Sequence, residues 1–307
     1  MLVNLEKILV KARKEHYAVG AFNTSNLEIS QAILRAAERL NAPVIIATSE
    51  KAIRYAGIEN ISDMILTMAK KTQIPVVLHL DHGRSYEIVR ECIKHHYTSV
   101  MIDGSHLSFK ENLKITKQVV RFALKHGVSV EAEIGRLAGI EDDIKIKNGN
   151  AIYTDPEEAQ TFAYESGCNA LAVAIGTSHG AYKFKDKPRL RIDILKAIAE
   201  KVEIPLVLHG ASGVKAKWVN RVNKYGGQLK HAKGVPDNLI EKAVKNGISK
   251  INTDTDLRIA FTAGVREHLN KHPKIFDPRR ILGSARDFMQ RVIEDRIQIF
   301  GSRNKAC

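Results

Sequence analysis

Residues 74–83 read IPVVLHLDHG, and residues 204–213 read IPLVLHGASG. Each is a short aliphatic run entered through a proline and closed by polar residues. A continuous apolar run of this length, bounded by turn residues, reads as a strand buried on both faces, the kind that parallel sheets use. Histidines and a carboxylate at the end of such a strand need a reason, and the repeat of that ending points to one shared site. Similar runs occur over residues 18–22, 43–48, 99–103, 129–133, 170–175 and 249–252. Between them lie segments with apolar residues three and four apart, such as 26–40, 60–70 and 112–124, with Asn60 a candidate N-cap. Final helices are expected over 265–271 and 285–299.

This alternation continues without a composition break. It predicts an α/β fold, a TIM (β/α)8 barrel, in a single domain over residues 1–307 with additional C-terminal helices. An open doubly wound sheet is the alternative, but FNTSN (22–26) after the first strand carries no Gly-x-Gly-x-x-Gly turn for a dinucleotide. Two polar, glycine-bearing stretches, 135–151 and 225–236, interrupt the rhythm and are expected as extended active-site loops.

Composition narrows the function classes. The chain has 307 residues, 44% of them apolar, enough for one large core. Three cysteines give no disulfide framework and suit a reducing, cytoplasmic setting. No apolar run approaches the ~18 residues of a membrane span, so no membrane association is expected. The formal charge of +14 is spread along helix-like segments, aromatics are only 6%, and no nucleic-acid-binding motif occurs. Nucleic acid is therefore not expected as a partner, and a phosphate-bearing small molecule fits the charge better.

Polar residues collect at the carboxyl ends of the expected strands. They are His79, Asp81 and His82; Asp103 and then His106; Glu131 and Glu133; GTSHG (176–180); HGASG (209–213); and NTDTD (252–256). A barrel brings those ends to one mouth. His82, His179 and His209 with nearby carboxylates have the chemistry of an open catalytic zinc site, and hydrogen-bonded structural histidines are the alternative. His79 is the weaker candidate, because strand alternation need not aim it with His82. Glycines in HGAYK (179–183) and HGASG, helped by Ser212, Thr255 and Lys183, offer an anion site or ordinary turns. Lys183 and Lys250 near strand ends leave a Schiff-base enzyme open, and the glycine loops alone would suffice for a non-catalytic phosphosugar-binding protein.

The ordered set HLDHG, SVMIDGSH, VEAEIG, GTSHGAYKFK, LVLHGASGV and INTDTDLR, with GGQLKHAKGVP, resembles the class II, metal-dependent fructose-bisphosphate aldolases over essentially the whole chain. The resemblance implies reversible cleavage of fructose 1,6-bisphosphate, or of tagatose bisphosphate or a related phosphosugar, in glycolysis and gluconeogenesis. It makes His82, His179 and His209 the ligands of a catalytic Zn2+. Asp81 becomes the acid/base at the C4 oxygen, and Glu141 a mobile proton carrier with Asp142 and Asp143 as rivals. Glu133, supported by Asp103, marks a second metal or monovalent-cation position. Gly180, Lys183, Gly210, Ser212, Asp254 and Thr255 correspond to the site of the first phosphate, and Asn252 lies near the reacting carbonyl. Asn23 and Ser49 face the aldehyde half, and Arg279 the distal phosphate, from the same or a neighbouring subunit. A homo-oligomer, dimer or larger, is implied as well. Glu131 reads as a structural carboxylate, and His16, His95, His96, His106 and His126 as surface or turn residues.

Overall fold

A computed structural model describes residues 1–136, 138–141, 144–146, 152–180 and 189–306; for 138–141, 144–146 and His179 it describes the backbone alone. In chain order the strands are β1 (Val19–Asn23), β2 (Val44–Ser49), β3 (Val76–Gly83), β4 (Ser99–Ile102), β5 (Ser129–Ile134) and β6 (Ala138–Glu141). They continue as β7 (Ile144–Ile146), β8 (Ala170–Val173), β9 (Ser178–His179), β10 (Leu206–Leu208) and β11 (Ile248–Thr253). Strands β1, β2, β3, β4, β5, β8, β10 and β11 pair in that order and close on β1 as a barrel. All of the pairs are parallel. The eight apolar runs read from the sequence are these eight strands, and the open sheet is excluded.

Period-two alternation divides the barrel into an inside and an outside. Outward residues such as Phe22, Val44, Ile46, Val76, Leu78 and Leu80 join the helices in the main core. Inward residues at the lower end are aliphatic: Val19, Ala21, Ile45, Val77, Ala170, Ala172 and Val207. They pack on Leu5, Ile8, Leu9 and Ala12 of the helix Leu5–Lys14, which plugs the barrel floor. That helix forms because its apolar positions recur at three- and four-residue spacing and Asn4 caps its first turn, accepting from the Lys7 amide. With the floor closed by apolar packing, polar chemistry is left to the opposite end.

Three local expectations need correction. Asn60 is not the cap of its helix, which runs Ile58–Ala69 behind Gly57; the Asn60 side chain instead donates to the Ala56 carbonyl. The last helices run Thr255–Lys271 and Pro278–Phe300, longer than the periodic segments suggested; the second opens with Asp277 as cap and Pro278 in the first turn. The stretch 135–151 is not wholly irregular. AGIE and IKI alternate as strands do, and β6 and β7 pair antiparallel, with β9 added parallel to β6. Among the described residues, no helix is long and apolar enough to cross a membrane.

Candidate active site

Strand β3 places Val77, His79 and Asp81 inside the barrel, so His82 should by parity point away from its neighbour. It does not. The register against β4 shifts between Leu80 and Gly83, and His82 adopts φ +50°. A non-glycine residue in that region is a strained feature that the surroundings must hold. The irregularity re-aims His82 so that consecutive residues, Asp81 and His82, share the mouth.

Among the described side chains at the mouth, the imidazoles of His82 and His209 are oriented by buried carboxylates. His82 Nδ1 lies 2.9 Å from Asp103 Oδ2, and Asp103 Oδ1 accepts from the Ser105 amide and hydroxyl at 3.0 and 2.7 Å. Burial opposes the Asp103 charge, but the hydrogen bonds from His82 and Ser105 outweigh it and hold the carboxyl well below its usual range. With Asp103 ionised, Nδ1 carries the ring proton and the lone pair falls at Nε2. His209 is the mirror case, with Nε2 2.8 Å from Glu131 Oε1 and the lone pair at Nδ1, 3.3 Å from Asn252 Nδ2. Burial, and then the His82 ring beside it, lower the His209 pKa and keep the ring neutral, the form that binds a metal. The two rings meet edge to face with centroids 4.5 Å apart.

Asp81 is held by two carboxamides. Asn23 Nδ2 donates to Oδ2 at 2.7 Å and Asn252 Nδ2 to Oδ1 at 2.8 Å. One ligand atom from each of Asp81, His82 and His209 lies within 4.8 Å of the others, and the same holds for His82, Asp103 and Glu133. Imidazoles whose far nitrogens are tied to carboxylates, with further carboxylates alongside, have the donor chemistry of a metal site. This buried cluster can chelate a metal ion.

With the barrel and its polar mouth established, comparison with known proteins is direct. The sequence model of the family described as "Fructose-bisphosphate aldolase class-II" matches residues 3–305. The chain belongs to the class II fructose-bisphosphate aldolase family. It is 51% identical over 306 residues to the fructose-bisphosphate aldolase of Thermus caldophilus, covering 100% of both chains. Identity to that of Helicobacter pylori (strain ATCC 700392 / 26695) is 47%, over 99% of this chain and 100% of the relative. The crystal structure of the YdjI aldolase from Escherichia coli K12 superposes with a TM-score of 0.82 at 31% identity, covering 100% of each chain.

The remaining residues of this aldolase fall into place unevenly. Gly210 turns the chain after β10 at φ +62°, with its α-carbon so close to Ser178 that an added Cβ would lie 2.8 Å from the Ser178 carbonyl oxygen. The loop is tied down by buried Asp256, which accepts from the Gly213 and Val214 amides at 2.8 and 2.6 Å. Ser212 Oγ accepts from the Asp254 amide at 3.4 Å, whereas the Asp254 carboxylate pairs with Arg258 at 2.6 Å. Asp254 can therefore serve an anion only through its backbone. Gly180, Thr255, Arg258 and Arg266 border a 340 Å³ cavity beside Gly227 and Leu229 of the second long loop. Asn23 and Ser49 border a 430 Å³ cleft with Lys51, Tyr55, Asp254 and Arg258. Lys51 and Arg258 were not singled out from the sequence; their positions just beyond the ends of β2 and β11 were the available signal.

Other predicted residues are not brought to the mouth or lie outside the described residues. Lys183, Asp142 and Asp143 lie outside them, as do the side chains of Glu141 and His179. Arg279 is 89% exposed at the start of the last helix and pairs with Asp277 at 2.8 Å; among the described residues it touches none of the mouth side chains. His16, His96, His106 and His126 are exposed and His95 half-buried at a helix end.

His79 lies below the mouth, its Nδ1 2.8 Å from Ser99 Oγ and its Nε2 3.5 Å from Lys250 Nζ. Burial, followed by the Lys250 charge, brings its pKa down to about 3, so the ring is neutral and its 3.6 Å approach to Glu131 is not an ion pair. Lys250 is wholly buried and paired with Glu131 at 2.8 Å. An amine nucleophile must be accessible and deprotonated, so this geometry removes Lys250 as a Schiff-base residue.

Proposed function

We propose that this aldolase reversibly cleaves fructose 1,6-bisphosphate to dihydroxyacetone phosphate and glyceraldehyde 3-phosphate, using a catalytic zinc held by His82, His179 and His209. The observation that carries the reading is Asp81, a carboxylate fixed through both oxygens by Asn23 and Asn252 beside two carboxylate-oriented imidazoles. When bound there, the cation supplies Lewis acidity to the C2 oxygen of the ketose.

The chain's own groups do the rest. Asp81 accepts the C4 hydroxyl proton as the C3–C4 bond breaks, held in position by the two amide donors. The bonding electron pair stays with the dihydroxyacetone half, and Glu141 returns a proton to the carbon that lost its bond. Condensation reverses these transfers. Asn252 Oδ1, buried and without a hydrogen-bond partner among the described residues, accepts a substrate hydroxyl near the reacting carbonyl. Gly180, Lys183, Gly210, Ser212, the Asp254 amide and Thr255 bind the first phosphate. Ser49 lies on the aldehyde side, and Arg279 reaches the distal phosphate from a neighbouring subunit of a dimer or larger homo-oligomer. Phosphates far from the broken bond supply binding energy that orients the reacting atoms. Asp103 and Glu133 shape a position for a second metal or a monovalent cation. The chain works as one domain in the cytoplasm.

The deciding experiment measures cleavage of fructose and tagatose bisphosphates with and without added zinc. Faster cleavage of the fructose substrate, lost to a chelator and restored by zinc, is expected. Equal rates on both substrates would overturn the fructose assignment, and chelator-resistant activity with borohydride-trapped substrate would overturn the metal mechanism.

A further inference from the structure

One interior layer beneath the mouth, the barrel carries ionisable groups that the proposed proton transfers do not use. His79, Glu131 and Lys250 are each 0% exposed. Each stands two residues before a mouth residue (Asp81, Glu133 and Asn252), so alternation places all of them inside the barrel at a common depth. Glu131 Oε2 lies 2.8 Å from Lys250 Nζ, and Oε1 receives both Lys250 Nζ at 3.0 Å and His209 Nε2 at 2.8 Å. His79 Nε2 faces the same ammonium at 3.5 Å, and Ser99 fixes the far side of its ring.

A buried ion pair is a poor way to fill a barrel. Well-packed apolar residues of similar volume are often as stable or more so, because two charges must be stripped of water. The aliphatic floor just below shows that this barrel can be filled that way. What apolar residues cannot provide is a fixed, charged acceptor at His209 Nε2. We infer that Glu131 and Lys250 are positioning residues for the metal centre: Glu131 locks the His209 tautomer that presents Nδ1 to the cation, and Lys250 holds the Glu131 side chain in place through both of its oxygens. The inference rests on the reading of His209 as a metal ligand.

Each part has a physical reason. A carboxylate accepts only, so His209 must keep its proton at Nε2, leaving a more basic Nδ1 for the metal. Lys250 fixes that carboxylate by touching both of its oxygens, and His79 Nε2 faces the same ammonium at 3.5 Å, which restrains its swing. The positive charge is thereby confined below the imidazole, away from the mouth where it would repel a cation.

Two variants test this with metal affinity as the readout. The double variant Glu131→Gln/Lys250→Met removes both charges together, so that neither is left buried alone. Glu131→Asp keeps the charge but withdraws the carboxylate by one methylene from His209. Metal-depleted proteins are titrated with Co2+, following its visible absorption, and Zn2+ affinity is measured by competition with a chelator; circular dichroism establishes folding. Both variants are expected to bind metal roughly 10- to 100-fold more weakly, with an altered Co2+ spectrum. A folded variant of either kind that binds within about twofold of wild type, with an unchanged spectrum, overturns the inference. Failure of the wild type itself to bind a divalent cation is a separate result and would overturn the metal-site reading.

Discussion

Replacing Asp81 with asparagine is the sharpest perturbation of the proposed proton transfer. The side chain keeps its size, so the 430 Å³ cleft bordered by Asn23 and the two imidazoles beyond it are left in shape. Two things change. The group can no longer accept a proton, and its amide nitrogen must face one of the donors, Asn23 Nδ2 at 2.7 Å or Asn252 Nδ2 at 2.8 Å. A positioned general base contributes about 10²–10⁴-fold to rate. At ~1.4 kcal/mol per decade this is about 3–6 kcal/mol of transition-state stabilisation. Opposing two amide donors forfeits one hydrogen bond to a charged group, a further ~1.5–3 kcal/mol that falls on the ground state and the fold as well. The expected outcome is a loss in kcat of at least about 100-fold with KM changed far less. Metal content should be retained, because the imidazoles remain. A coupled assay of triose-phosphate production gives the rate, and elemental analysis gives the metal. Turnover within about tenfold of wild type would refute the assignment of the C4 proton to Asp81.

Three further outcomes test other parts of the structure. His209→Ala should lose stoichiometric metal together with activity; retained metal would remove His209 from the ligand set. Gly210→Ala forces an L-residue to φ +62° with its Cβ 2.8 Å from the Ser178 carbonyl oxygen. The left-handed conformation alone costs about 1–2 kcal/mol, so a fall in Tm of several degrees is expected in thermal denaturation, and an unchanged melt would show that the loop relaxes freely. Glu267 is buried between Arg221 and Lys271, at 2.8 and 2.6 Å, and the hydrogen bond from Arg221 is the main cause that lowers its pKa from 4.5 to about 2. A depressed carboxylate stabilises the fold above its unfolded value and loses that contribution as pH falls through the folded one. Glu267→Gln should therefore melt below wild type near neutral pH, with the gap closing between pH 4.5 and about 2. A gap independent of pH would show that the pair acts by packing alone.

The barrel was legible because both faces of its strands are buried, which turns each strand into an aliphatic run that ends where the mouth begins. The polar endings marked the site for the same reason, since an ionisable group on an apolar strand must find partners. Features set by pairing across the fold were less legible. The hairpin of β6 and β7 hides in a segment whose glycines and lysines suggest an irregular loop, and only the alternation in AGIE and IKI betrays it. Asn60 looked like a cap because its type suits one, but Gly57 ends the preceding turn three residues earlier and the helix begins there. Roles that depend on a distant partner, such as that of Glu131 under His209, cannot be read from either residue alone.

HLDH shows why sequence period and function part at this site. Period two seats His79 and Asp81 on one interior face and would send His82 outward into the helix layer, so a regular strand could supply a proton acceptor or an imidazole at the mouth but not both from consecutive residues. The register shift against β4 and the left-handed φ at His82 resolve that conflict locally. Asp103 then holds the re-aimed ring from the next strand end at 2.9 Å. Alternation separates His79 from His82 as expected, but the residue that leaves the strand's period is His82. His79 obeys the strand and serves the layer below, while His82 departs from it, held by a carboxylate that the strand itself does not carry.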